Sequence, residues 1–229
     1  MSLFKILSPR YKPLTRNTRT IMVVNSKGGS GKTTIATNLA SYFADRGRAV
    51  MLADFDPQAS SLNWLAVRPD DKPKIHGLAA FKEPMWIPTE IDTVVMDVPA
   101  GVRAGRLRYL VRHAQTILIP VLPSAFDIRA AANFIDEIKQ LDKIVHLQAK
   151  LAFIANRVRE NSRAYDALDE FLKGWKLPVI AHLREHQNYT AAADKGLGIF
   201  EFGSHATERE QWEPLIKWLR GKGSKPMAV

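Results

Sequence analysis

Three observations in this sequence predict a doubly wound α/β fold, with a mostly parallel sheet and helices on both faces. Short, continuously apolar runs alternate with longer segments of helical period. A glycine-rich turn, NSKGGSGKTT (Asn25 to Thr34), joins the first such run to the first such segment. Acids stand at the ends of two later runs. A run that is apolar at every residue suits a strand buried on both sides, which is the situation in a parallel sheet with helical crossovers.

Taken in order, residues 1–18 form a basic arm with Lys5, Arg10, Lys12 and Arg16, no acid and two prolines. TIMVVN (residues 20–25) is the first strand, β-branched and apolar. Residues 32–47 follow as a helix, with Ile35, Leu39, Tyr42 and Phe43 on one face and Gly47 placed to close it. Strands are then expected at 49–55, 91–98, 116–122, 149–158 and 177–183. Helices are expected at 103–114, 125–141 and 162–175. One domain spans 19–220, and 221–229 is a basic tail. There is no internal repeat.

The chain has 229 residues, 46% hydrophobic and 24% charged, the balance of a single globular domain. It contains no cysteine, which excludes disulfides, thiolate zinc sites and iron–sulfur clusters. The N-terminus has no apolar core of a signal peptide, and the most apolar run, TILIPVL, is too short to span a bilayer. A cytoplasmic protein is expected. Basic residues outnumber acidic ones 33 to 23, for a net charge of +10, which favours a polyanionic partner.

The turn is where the chemistry begins. A phosphate-cradling loop reads G-x-x-x-x-G-K-[ST] between a strand and a helix. Gly31, Lys32 and Thr33 match its end, while Ser26 stands where the first glycine belongs. Gly28, Gly29, Ser30 and Gly31 let backbone N–H groups turn toward an anion. Lys32 is expected on the β- and γ-phosphates, Thr33 on Mg²⁺ and Thr34 on a further phosphate oxygen. Asp54, Asp56 and Asp97 follow apolar strands, and C-terminal strand ends are where open α/β sheets bind ligands. An acid in that place is the arrangement that holds Mg²⁺. A second lysine, Lys27, is left without a task.

KGGSGKTT, DFDPQAS, DVPAG and PVLPSAFDIRA together resemble the ParA/MinD family of deviant Walker ATPases, over about residues 19–205. The extra lysine defines that family. The resemblance implies ATP and Mg²⁺ as cofactors and an ATP-dependent homodimer in which Lys27 reaches the partner's nucleotide. It implies that Asp56 orients the attacking water, that Asp54 and Asp97 hold Mg²⁺ largely through its waters, and that Asn156 reads adenine. DVPAG departs from the DTPP often found in the family, although Asp97 is retained. The length resembles small ParA proteins without an operator-binding domain, and the motifs are similar to those of the carboxysome-positioning (McdA) kind.

By the same resemblance, residues 182–201 couple nucleotide state to non-specific DNA binding, with Arg184 and Lys195 as candidate contacts. Lys217 and Arg220 join them from the C-terminal segment, and nucleoid association follows. A cargo-bound adaptor is expected to stimulate slow hydrolysis. The alternative is a MinD-like membrane-associated regulator of division or polar placement, since Trp212, Leu215, Ile216 and Leu219 share one helical face. Pro214 interrupts that segment and its apolar face is short, so membrane binding is not expected. A ligase on the same scaffold would need an acid–base pair beyond the ATP site, and none is found.

Overall fold

The structure is a computed structural model and describes residues 11–13, 18–83, 85–145, 149–159, 162–203 and 206–221. Its centre is a seven-stranded sheet. The strands are β2 (Arg19–Val23), β3 (Val50–Asp54), β4 (Ile75–Ala79), β6 (Thr93–Asp97), β7 (Thr116–Val121), β8 (Lys150–Val158) and β9 (Val179–Arg184). Their order is β4-β3-β6-β2-β7-β8-β9. Every pairing in this sheet is parallel. Among the described residues, antiparallel pairing occurs only in a separate two-stranded ribbon, where β1 (Tyr11–Pro13) meets β5 (Trp86–Pro88). That ribbon ties three residues of the basic arm to the body. Residues 1–10 and 14–17 of the arm and 222–229 of the tail lie outside the described residues.

The central predicted strands are buried because their runs are apolar up to the acids that end β3 and β6. In β3, β6 and β7 every residue is buried. Pro120 sits in β7 although proline cannot donate to a ladder. Pairing of β7 with β2 stops at Leu118, where β2 leaves for the glycine-rich turn. Asn25 fills the gap, its Nδ2 donating to the Pro120 carbonyl at 2.7 Å.

Helices close both faces. On one side α3 (Ala104–His113), α4 (Ala125–Val145) and α5 (Arg163–Gly174) pack through Leu107, Leu110, Phe134, Ile135 and Leu168. On the other, α1 (Lys32–Asp45) and α7 (Ala206–Arg220) pack through Ile35, Leu39, Trp212 and Leu215. α2 (Ser60–Ala66) and α6 (Gln187–Ala193) are short. The sequence pattern did not reveal α2, β4, β5 or α6. β4 is a half-exposed edge strand containing Gly77, whose absent Cβ would come 2.9 Å from both Leu62 and Leu65. Its residues therefore show no apolar run. The C-terminal face suspected of meeting a membrane is closed: Trp212, Leu215, Ile216 and Leu219 are buried in the core with α1 and β9. Among the described residues no helix is long and apolar enough to cross a membrane.

Candidate nucleotide site

The register of the sheet builds the site. Val23, the last residue of β2, pairs with Asp97 of β6, and Asp97 pairs with Asp54 of β3. The glycine-rich turn and both strand-end acids therefore leave the sheet at one level. The turn folds back through left-handed glycines, with φ of 77° at Gly29 and 87° at Gly31, values open to glycine at little cost. Gly31 has a second constraint: a Cβ there would lie 2.2 Å from Asn156 Nδ2. That amide donates to the Ser30 carbonyl at 2.8 Å, so Asn156 braces the turn from β8.

The two lysines of the turn differ sharply. Lys32 is buried, and its ammonium donates to the Lys27 carbonyl at 2.9 Å. Burial lowers its pKa, with Asp97 and Asp56 nearby opposing the shift. A cation held in so dry a place gains most from an anion brought beside it. The Lys27 side chain is exposed; only its backbone is engaged, the N–H donating to Asn25 Oδ1 at 3.2 Å. Ser30 Oγ adds a bond to the Lys27 carbonyl at 3.3 Å. A Cβ at Gly28 would meet nothing within 4 Å, and Thr34 lines a cavity of about 300 Å³ together with Asn156, Arg184, Tyr189 and Trp212.

The three acids also differ. Asp54 is wholly buried and saturated. Its Oδ1 accepts the Asp56 N–H at 2.9 Å, and its Oδ2 accepts the Ser61 hydroxyl at 2.7 Å and the N–H groups of Ser61 and Leu62. It holds the start of α2 and the turn carrying Asp56. Asp56 is half-buried, with Oδ1 on the Gln58 N–H at 3.0 Å. Asp97 is pushed up to about 6, first by burial, with Asp54 adding to the shift and hydrogen bonds from Thr33 and Ser61 and the charge of Lys32 opposing it. A divalent cation would favour its ionised form. Among the described residues no cluster of three metal-ligating His, Asp or Glu side chains occurs. The polar groups at the site, the Thr33 hydroxyl and the Asp97 carboxylate, offer oxygen donors, the kind that Mg²⁺ takes.

A model of the CobQ/CobB/MinD/ParA nucleotide-binding domain matches residues 21–199. The chain belongs to this family. It is 29% identical, over 81% of its length and 88% of the relative's, to Maintenance of carboxysome distribution protein A of Halothiobacillus neapolitanus. The fold of apo McdA from Cyanothece superposes with a TM-score of 0.70 at 16% identity, covering 89% of this chain and 100% of that one. MinD cell division protein of Aquifex aeolicus superposes at 0.69 with 20% identity, covering 93% and 100%. These neighbours carry the fold: a parallel sheet with a phosphate loop, as in the CobQ/CobB/MinD/ParA family at large.

Two features of the site escaped the sequence pattern. Ser61 gives both its hydroxyl and its N–H to Asp54, the neighbour of Asp97 across the sheet, and has no motif of its own beyond a hydroxyl at a helix start. Arg68 and Glu201, 133 residues apart, form a bidentate buried pair at 2.5 and 2.8 Å. The pair fastens the loop 196–201 to the end of α2, with Arg68 also donating to the Gly196 carbonyl at 3.0 Å.

The four expected DNA contacts do not sit together. Arg184 ends β9 at the nucleotide end of the sheet, its N–H bonded to Gln211 near the start of α7. Lys195 is exposed just past α6, its ammonium 5.3 Å over the Phe202 ring. Lys217 and Arg220 are exposed at the other end of α7, where the Gly221 carbonyl meets Lys150 at the start of β8. Arg220 is thus about 20 Å from the start of its helix, at the end of the sheet away from the nucleotide loop.

Proposed function

We propose that this chain is a ParA-type ATPase that dimerises on ATP and Mg²⁺, binds DNA without sequence preference and positions a cargo. The observation that carries the reading is the contrast in the turn: Lys32 buried and bonded within the loop, Lys27 exposed on its lip. In this reading Lys32 neutralises its own nucleotide's phosphates. Lys27 is free to reach phosphates delivered by a second copy. On the same reading Thr33 and Asp97 would hold Mg²⁺, which would supply positive charge to the nucleotide's phosphates, while Asp56 would orient the attacking water and Asn156 would bound the adenine side. Relatives named for carboxysome distribution support a protein-shelled organelle as the cargo, with a cargo-bound adaptor stimulating hydrolysis.

Sedimentation with ATP and Mg²⁺ tests the division of labour. Lys27→Ala should bind ATP and stay monomeric, whereas Lys32→Ala should not bind ATP at all. An ATP-dependent dimer of normal strength in Lys27→Ala would remove the trans role. Unchanged ATP affinity in Lys32→Ala would remove the phosphate-loop reading.

A further inference from the structure

Between Asp97 and Asp127 the chain contains no acid at all, yet it contains Arg103, Arg106, Arg108 and Arg112. Both flanking acids are buried. The structure sorts these arginines. α3 buries Leu107, Leu110 and Val111 completely, which turns the opposite side of the helix to solvent. Arg106 is engaged, donating to the Ala80 carbonyl with its guanidinium 5.4 Å over the Phe55 ring. Arg103, Arg108 and Arg112 are exposed. The ion pairs of the described residues lie elsewhere, at Arg48–Asp92, Arg68–Glu201, Arg159–Glu185 and Lys173–Asp169 among others. Tyr109 stands among the free arginines, 45% exposed and backed by the His113 ring at 4.4 Å.

We propose that the solvent face of α3, formed by Arg108, Tyr109 and Arg112, with the exposed Arg103 just before the helix, is a contact surface for nucleic-acid phosphates. The inference rests on the DNA-binding reading above and moves its centre to the face of the sheet opposite α7. Like charges one turn apart repel, and α3 holds Arg108 and Arg112 in that relation with no acid between them. A polyanion removes the repulsion. Arg108 and Arg112 stand about 6 Å apart along the axis, and duplex DNA presents one charge per roughly 1.7 Å, so successive phosphates fall within reach. All the free cations are arginine, whose planar fork matches phosphate in two bonds, and an exposed tyrosine beside them suits sugar and base. The earlier candidates are less clean. Lys217 and Arg220 share α7 with Glu208, Glu210 and Glu213; Arg184 precedes Glu185; Lys195 follows Asp194.

A membrane surface fits less well. An interfacial helix needs a large apolar face to insert, and the apolar face of α3 is already buried in the core.

The test is binding of the full chain, with ATP and Mg²⁺, to random-sequence duplex DNA across a salt series. Arg108→Gln/Arg112→Gln keeps good helix formers at exposed positions, so ATP affinity and melting temperature should hold. Its log affinity against log salt should flatten by about 2, near 0.9 for each phosphate that is no longer neutralised, equally for all sequences. Arg108→Lys/Arg112→Lys should recover most of the slope. If the wild type binds DNA and the glutamine variant keeps its slope, α3 is not the contact, although the DNA-binding reading survives; a loss confined to Lys217→Gln/Arg220→Gln would then place the contact on α7. If the wild type binds no DNA with any nucleotide, both readings fall. Loss of binding to anionic phospholipid vesicles with DNA binding intact would also overturn the proposal.

Discussion

The corner around α2 and the outer face of α3 use charge in opposite ways. At the corner, Asp54 is buried and accepts four donors, and Arg68 and Glu201 are buried against each other with side chains 4% and 3% exposed. On α3, Arg108 and Arg112 are exposed, and the ion pairs among the described residues lie elsewhere. Buried charge is tolerated only when it is paired and hydrogen-bonded, so the corner's charges are bound up in the fold. Exposed charge without a partner contributes little to folding and remains available for something outside the chain. Stability should therefore depend on the first region and binding on the second.

The corner should be sensitive to any change that leaves half a pair behind. Arg68→Ala would strand the Glu201 carboxylate and release the loop 196–201 from α2. A loss of about 3–5 kcal/mol is expected, the usual cost of breaking a buried pair. Denaturant unfolding measures it, with Arg108→Ala as the reference, which should stay within about 0.5 kcal/mol of wild type. Glu201→Gln should fall between the two, since the amide keeps one acceptor for the guanidinium. Equal losses at Arg68 and Arg108 would erase the distinction between the regions.

Asp56 lies at the boundary, half-buried, with one oxygen in a local turn. Asp56→Ala should leave folding and ATP binding near normal, because Asp54 keeps its hold on α2 and Thr33 and Asp97 stay in place. Hydrolysis should fall at least ~100-fold, at the low end of what a positioned acid–base group supplies. Single-turnover hydrolysis beside equilibrium ATP binding separates the two effects. A variant that hydrolyses normally would shift the role to another group at the site.

What could be read from residues alone was whatever is local. The phosphate loop, the buried strands and the acids at their ends are contiguous patterns, and each stands where a parallel sheet requires it. Asp54 shows the limit of that reading. Its position was legible, but three of its four donors come from α2, an element whose short, interrupted pattern hid it. The Arg68–Glu201 pair joins residues too distant for any periodicity to connect. The α3 surface was missed for a different reason. Its helix was apparent, but which side faces water follows from Leu107, Leu110 and Val111 being packed on the sheet, and only then do the arginines line up. The basic residues near the C-terminus drew attention through their number, while the acids spread along α7 dilute them.

Two glycines carry the comparison to its smallest effect. Gly31 has φ of 87° and the Asn156 amide 2.2 Å from where a Cβ would go. Gly105, on the exposed side of α3, has nothing within 4 Å and is not among the residues of positive φ. Alanine at 31 must either strain the backbone or push Asn156 off the Ser30 carbonyl, so stability and ATP affinity should both drop, the former by about 1–3 kcal/mol. Alanine at 105 meets no obstacle. It lowers the entropy of the unfolded chain and suits a helix better than glycine, which stabilises such sites by roughly 0.4–1 kcal/mol. Gly105 is the second residue of α3, where propensity counts for less, so the lower figure is expected, a rise in melting temperature of about 1–2 °C. No charge changes, so the salt dependence of DNA binding should stay the same. A fall in melting temperature would mean that this side of α3 packs against part of the chain, and the face assigned to an outside partner would not be free.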